Sequence, residues 1–260
     1  MPDVKTVPPR ETVHSRKSQP ELRIGTSGWH YAGWWGPFYP QEIRKKDALV
    51  YYATRFNSAE LNAPFYRMPT PKAVQNWFET TPDEFRFAWK GSRYITHMKR
   101  LLVEKDSIDF LEERLKLLKH KAGPVLFQLP PNMQIDRERL AAFLKLLRKS
   151  RQYTFEFRHE SWYDKSIFDL LADHDMALCI SDHADAPAPC EVTAGWVYIR
   201  NHGPSGRYHG SYSARAIADW AREMRKWKRQ RRDVWCFFDN DVKSAAPTDA
   251  EKLKAKIRKT

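Results

Sequence analysis

Along the chain, short apolar runs of four to six residues alternate with longer stretches in which apolar positions recur every third or fourth residue. Eight runs read as strands: Leu22–Thr26, Ser58–Asn62, Phe85–Lys90, Val125–Gln128, Tyr153–Arg158, Ala177–Ile180, Gly195–Arg200 and Val234–Phe238. They are mostly β-branched, aromatic or aliphatic, as strands covered on both faces are. Between them lie helical stretches at Ile43–Arg55, Thr70–Thr80, Asp106–His120, Asp136–Arg151, Lys165–Asp173 and Ala214–Arg232, with Ala246–Arg258 last. Thr70-Pro71 supplies a capping hydroxyl before a first-turn proline, and Asp136 opens the stripe Leu140, Phe143, Leu144, Leu147. The connection 183–194 holds Pro187 and Pro189 and has no helical stripe.

Eight strand–helix units in about 235 residues predict an α/β chain folded as a single (β/α)8 barrel over residues 21–260. A doubly wound open sheet is the alternative, and its usual strand number is smaller. Residues 1–20 mix Pro, Ser, Thr and charges without periodicity and are expected to form a disordered leader. That stretch has no apolar core of the kind a secretory signal carries, so the cytoplasm is the expected location. No apolar run approaches the ~18–20 residues needed to cross a bilayer, and no membrane insertion is expected.

Charge changes the picture at the C-terminal end. The 260 residues carry 45 Lys and Arg against 32 Asp and Glu, a formal net charge of +13. Residues 222–232 hold seven basic side chains against Glu223, and residues 251–259 hold five against Glu251. The helices 214–232 and 246–258 therefore offer a basic face that suits a nucleic-acid backbone, or that simply stays solvated. Three cysteines, Cys179, Cys190 and Cys236, form no Cys-x-x-Cys pair and argue against a disulfide framework.

In a closed barrel the chemistry gathers where the strands end at the C-terminal face. Those positions hold Trp29 after the first strand, then Glu60 and Asn62 with Tyr66 beyond, Lys90 with His97 beyond, and Gln128. The later strands end in Glu156, Arg158 and His159, in Asp182, in Arg200 and His202 with Tyr208 beyond, and in Asn240 beside Asp239. Two-residue alternation sets Glu60 with Asn62, Glu156 with Arg158, and Arg200 with His202 on common faces. So many ionisable groups at one end must pair with each other, a metal or a ligand. A ring of ion pairs capping the barrel is the structural alternative. Because every strand contributes, a ligand site is the preferred reading, with Glu156, Lys90 and Asp182 as catalytic candidates and the remaining residues, Trp29 to Asn240, lining the substrate.

Glu60, Glu156 and Asp182 with His159 or His202 form a donor set suited to a hard divalent cation, but Lys90, Arg158 and Arg200 compete for those carboxylates. A metal is not favoured and no cofactor is evident. The loop His202–Gly210 carries Gly203, Gly206, Gly210 and Arg207, a composition suited to cradling phosphate. Trp29, Tyr66 and Trp162 would serve as stacking walls for a ring.

The strings at the strand ends carry a resemblance. Gly25-Thr-Ser-Gly-Trp29, Glu60-Leu-Asn62 with Phe65-Tyr66, Ile95-Thr-His97, Gln128-Leu-Pro-Pro131, Phe155-Glu-Phe-Arg-His159, Tyr198-Ile-Arg-Asn-His-Gly203 and Phe237-Phe-Asp-Asn-Asp241 together resemble the YecE-like family, a domain-of-unknown-function family, over about residues 23–257. The resemblance implies a TIM-barrel fold and names no reaction. Asp239 and Asp249 stand where its members often carry Asn. The expected function is an enzyme acting on a small anionic, phosphorylated or carbohydrate-like substrate at the barrel mouth. A phosphodiester hydrolase acting on nucleic acid and a non-catalytic ligand-binding barrel are the alternatives.

Overall fold

A computed structural model describes residues 19–258 of the protein. The leader expected over residues 1–20 thus lies almost wholly outside the described residues. Eight parallel strands follow one another around a barrel: β1 Leu22–Thr26, β2 Ser58–Leu61, β3 Arg86–Lys90, β4 Ala122–Gln128, β5 Tyr153–Glu156, β6 Ala177–Ser181, β7 Trp196–Asn201 and β8 Asp233–Phe238. They are hydrogen-bonded in the order β1-β8-β7-β6-β5-β4-β3-β2. The helices are α1 Ala48–Arg55, α2 Ala63–Tyr66, α3 Pro71–Thr80, α4 Lys105–Lys116, α5 Arg137–Leu144, α6 Lys165–Asp173, α7 Ala214–Arg229 and α8 Ala245–Arg258. No helix forms between β6 and β7, as the two prolines predict. Among the described residues no helix is long and apolar enough to cross a membrane.

The ring closes at β1 and β2 without a continuous ladder. One parallel bridge, Ser27 to Glu60, joins the two strands, with Gly28 N–H donating to Glu60 O at 2.8 Å. Lower down, side chains substitute for the backbone. Asn57 Nδ2 donates to Leu22 O at 3.0 Å while its Oδ1 accepts from Ile24 N–H at 3.2 Å. The buried Tyr52 hydroxyl accepts from Thr26 N–H and donates to Ser58 O. Gly25 sits at this seam because any Cβ there would lie 2.0 Å from Ser58 O.

Alternation along the strands sorts the core into two layers. The outward positions pack against the helices in one large cluster that includes Phe87, Phe127, Phe155, Trp162, Ile180 and Leu253. The inward positions form a separate cluster, with Ala88, Leu126, Cys179, Tyr198, Trp235 and Phe237 filling the barrel. The same inward parity continues upward to Ser27, Glu60, Lys90, Gln128, Glu156, Ser181, Arg200 and Asp239, so the barrel's apolar plug is capped by charge.

Several helix boundaries differ from the sequence pattern, and three of the larger shifts have a local reason. The first helix starts at Ala48 rather than Ile43, whose carbonyl is taken by the Trp35 indole at 2.6 Å. The stretch expected to run to Arg151 ends at Leu144. Beyond it Arg148 N–H donates to the Tyr153 hydroxyl and Arg151 pairs with Glu112, so tertiary partners hold those residues in turns. The stretch expected to run to His120 gives way after Lys116, with Lys119 at φ 48°.

Candidate active site at the barrel mouth

Arg200, 1% exposed, is the hub of the cup above the apolar plug. Its Nη2 donates to Glu60 Oε1 at 2.9 Å and Asp239 Oδ2 at 2.7 Å, its Nη1 to Glu156 Oε2 at 2.7 Å, and its Nε to Glu60 Oε2 at 3.1 Å. Strands β2, β5 and β8 each send a carboxylate to one guanidinium on β7. Glu60 also accepts from the Tyr198 hydroxyl at 2.6 Å and Ser27 Oγ at 2.7 Å. Burial alone would raise the Glu60 carboxyl, yet the Arg200 and Lys90 charges and these two hydroxyls bring it below its usual range. For Glu156, burial is likewise outweighed, by the Arg158, Arg200 and Lys90 charges, which hold the carboxyl well below its ordinary value.

Arg158, just beyond β5, completes the shell. Its Nε donates to Glu156 Oε1 at 2.7 Å and its Nη1 to the Tyr208 hydroxyl at 3.1 Å. Both guanidinium groups point an N–H at Nε2 of the buried His202, each at 3.1 Å. Neither arginine can accept, so Nε2 is the acceptor and the ring carries its proton on Nδ1, 3.3 Å from Ser181 Oγ. The His202 main chain is held from behind: Asp182 Oδ1 accepts from the His202 backbone N–H at 2.6 Å, and its other oxygen accepts from the Tyr212 hydroxyl.

Beside this ion-paired shell opens a cavity of about 430 Å³ lined by Phe65, Tyr66, Lys90, Arg93, His97, Met98, Gln128 and Tyr208. Lys90 ends β3, where Gly91 N–H bonds to Leu126 O of β4. Its ammonium lies 4.5 Å from the centroid of the Phe65 ring, and among the described residues it makes no hydrogen bond or ion pair. Burial and the nearby Arg200 charge push this amine down while Asp239, Glu156 and Glu60 oppose them, leaving it at about 8. His97 is carried on a single π-helical turn, Tyr94–Met98, followed by Arg100 and Leu101 at positive φ. Isolated π turns of this kind recur at functional sites. Its Nδ1 lies 2.9 Å from Thr96 Oγ1, and burial with the Lys90, Arg158 and Arg93 charges lowers the ring to about 4. Tyr208 completes the wall from a strained backbone, φ 66°, with its ring 5.2 Å from His202 and 5.5 Å from His183.

The cavity thus gathers Tyr66, Lys90, His97, Gln128 and Tyr208, while Glu60, Glu156, Arg158, Arg200 and His202 form the charged shell next to it. Glu156, expected to act as acid or base, instead spends both oxygens on arginines and stays ionised as an anchor. Asp182 does not face the cavity; it fastens His202 and Tyr212. His159 caps the short helical turn 160–162 through Ser161, and Asn240 ties Gly210 to Asp249. Asn62 stays half-buried beside Tyr31. Trp29 packs edge-on against Trp77, and Trp162 stacks on Phe157 with its indole on Met133 O, so neither walls the cavity. The glycine loop cradles no anion with its first glycines: Gly203 N–H donates to Tyr212 and Gly206 N–H to Gly203 O. A Cβ on Gly206 would sit 2.4 Å from Ala184 N, so close packing explains that glycine. Phe65, Arg93 and Met98 escaped the strand-end reading because they lie in connections, where no two-residue rule applies.

Of the carboxylates suited to a divalent cation, Glu60 and Glu156 are bound to Arg200 and Asp182 to His202 and Tyr212, and among the described residues no group of three or more His, Cys, Asp or Glu is arranged to hold a metal ion. On the basic helices, Trp227 is buried with Ile217, Ala221 and Met224, while Lys228, Arg229 and Arg231 are exposed.

Residues 23–260 match the family described as "Protein of unknown function DUF72". The chain is 24% identical over 266 aligned positions to the UPF0759 protein YunF of Bacillus subtilis, across 89% of this chain and 93% of that protein. It is 32% identical over 119 positions to the UPF0759 protein YecE of Escherichia coli K12, across 45% of this chain and 44% of YecE. A crystal structure of a DUF72 family protein from Thermotoga maritima superposes with a TM-score of 0.82 at 24% identity, covering 92% of this chain and 99% of that one.

Proposed function

The chain belongs to the DUF72 family, and on that premise we propose that it is an enzyme acting on a small anionic substrate, phosphorylated or carbohydrate-like, held in the cavity at the barrel mouth. One observation carries the reading. Arg158 and Arg200 are spent on carboxylates, whereas Lys90 faces the cavity without an ion pair. A cation in that position is costly unless a ligand group meets it. Arg93 on the same wall takes the substrate's negative charge, and Tyr66, 70% exposed, with Tyr208 covers its apolar face. Lys90, at about 8, exchanges protons near neutral pH, and His97, lowered to about 4, stands by as a neutral imidazole acceptor. The buried carboxylates and arginines fix the shape and potential of the wall behind them.

Calorimetric titration with inorganic phosphate and with small phosphorylated and carboxylated sugars tests this. Binding that weakens about tenfold or more in Arg93→Ala, a loss of roughly 1.4 kcal/mol, supports it. Anion binding equal in wild type and Arg93→Ala, or absent from both, overturns it.

A second reading, a nucleic-acid phosphodiester as substrate or ligand, rests on the exposed Lys228, Arg229 and Arg231 at the end of α7 and Lys256 and Arg258 on α8. Its mark is oligonucleotide affinity that falls steeply as salt rises.

A further inference from the structure

We propose that Lys90 is a nucleophile that condenses with the carbonyl carbon of an aldehyde or ketone, forming an imine with a substrate whose negative group lies against Arg93. This deepens the reading of the cavity as a substrate site and rests on it.

The amine is fixed and uncommitted. Lys90 pairs in register with Leu126 of β4, and Gly91 lies so close to that strand that a Cβ there would sit 2.6 Å from the Phe127 ring. The side chain therefore leaves a rigid strand end rather than a loop. The charged groups of the shell behind it are bound to one another: Glu60 of β2, Glu156 of β5 and Asp239 beyond β8 to Arg200, and Arg158 to Glu156. Those carboxylates do not contact Lys90, and the ring of Phe65 does. An amine taken out of water beside a second cation, Arg200, is in the setting that favours its neutral, nucleophilic form, against the pull of the Phe65 face toward the ammonium. A lysine meant only to stabilise the fold would sit in one of the ion pairs that Arg200 monopolises.

A proton carrier stands next to it. His97 lines the same cavity, and its Nδ1 is engaged with Thr96, which leaves Nε2 as the ring nitrogen without a hydrogen bond among the described residues. The reaction balances with these two groups alone. The neutral amine adds to the carbonyl carbon, forming the C–N bond and a carbinolamine, as His97 Nε2 takes one amine proton. That proton returns to the departing oxygen, the C–O bond breaks, and the second amine proton leaves with it. Amine and carbonyl thus give imine and one water, with no oxidant or reductant. Gln128 and the Tyr66 and Tyr208 hydroxyls are neutral hydrogen-bonding groups on the wall available to a substrate hydroxyl.

Reductive trapping of the full chain with glyoxylate, a small anionic aldehyde, and sodium cyanoborohydride, read by intact mass and peptide mapping, tests the proposal. The expected result is one adduct per chain on Lys90, formed at least about tenfold faster at pH 7.5 than on any other lysine. Its rate should rise with a midpoint near 8, whereas surface lysines keep rising toward ~10.4. Labelling spread over surface lysines, with Lys90 no faster than the rest, overturns the imine. If phosphate still binds with Arg93 dependence in that case, the anion site stands without it. Selective labelling of Lys90 that phosphate does not slow keeps the imine and removes the anionic-substrate reading. Wild-type protein suffices for each trapping arm, so the labelling result does not depend on any variant folding.

Discussion

Arg200 on β7 binds both oxygens of Glu60 on β2, and the pair spans the seam where β1 and β2 share a single backbone bridge. The ion pair thus does two jobs. It closes the barrel through side chains where the ladder is missing, and it consumes the charge that would otherwise neutralise Lys90. With Asp239 and Glu156 on the same guanidinium, three buried carboxylates converge on one cation, and among the described residues only Glu156 has a second, Arg158. Breaking one partner of such a cluster leaves uncompensated buried charge, which costs far more than the pair contributes net.

Glu156→Gln accordingly destabilises the fold. Its carboxylate answers Arg158 and Arg200 together, and the amide leaves Arg158 without a carboxylate while Arg200 keeps Glu60 and Asp239. A loss of about 3–5 kcal/mol in urea unfolding is expected. Unchanged stability with lost ligand turnover would instead return Glu156 to a catalytic role.

Acid acts on the same cluster. Glu60 and Glu156 have folded values below their unfolded ones, so their contribution is complete above the unfolded value and disappears as pH falls through the folded values. Stability measured by denaturant unfolding should therefore hold from pH 7 to about 5 and fall steeply below the usual carboxylate value near ~4.3. A curve flat down to pH 2.5 contradicts this.

Lys90 has the opposite consequence. A lysine lowered to about 8 penalises the folded state below that value, and the penalty fades as pH rises toward the unfolded value near ~10.4. Lys90→Met should raise unfolding stability at pH 7 by about 1–2 kcal/mol, a figure discounted because the residue is half-buried, and lose the gain by pH 10.5. A variant less stable than wild type at pH 7 shows that Lys90 supports the fold instead.

Gly25→Ala probes the seam. The added methyl would lie 2.0 Å from Ser58 O and 2.9 Å from the Tyr52 hydroxyl, so β1 must move away from β2. Thermal unfolding should reveal a loss of about 2–3 kcal/mol, in the range of overpacked cores. A variant melting with the wild type shows the seam to be compliant.

Much of the fold was legible because buried parallel strands announce themselves: β1 and α6 match the sequence boundaries, and the other strands shift by one to three residues. At the site, two-residue alternation separates success from failure. It placed Glu156 with Arg158 and Arg200 with His202 inside the cup. Applied to β6 and β8 it would also have chosen Ser181, His183 and Asp239 over Asp182 and Asn240, whose side chains fall on the outer parity. Arg93, Phe65 and the π turn under His97 lie beyond the strands, where loop geometry decides, and nothing in the sequence period points to them. Glu156 looked catalytic because a sequence displays a carboxylate but not the two arginines that occupy its oxygens.

Lys90 is the uncommitted amine of the mouth, and its titration tests that most directly. Carbon-detected NMR of 13Cε-labelled lysines, with Lys90→Met to assign the signal, follows this one amine through pH 6–11. A midpoint near 8, shifted upward when phosphate is added, is the predicted result. A midpoint at the ~10.4 of a solvated lysine, indifferent to phosphate, would contradict it.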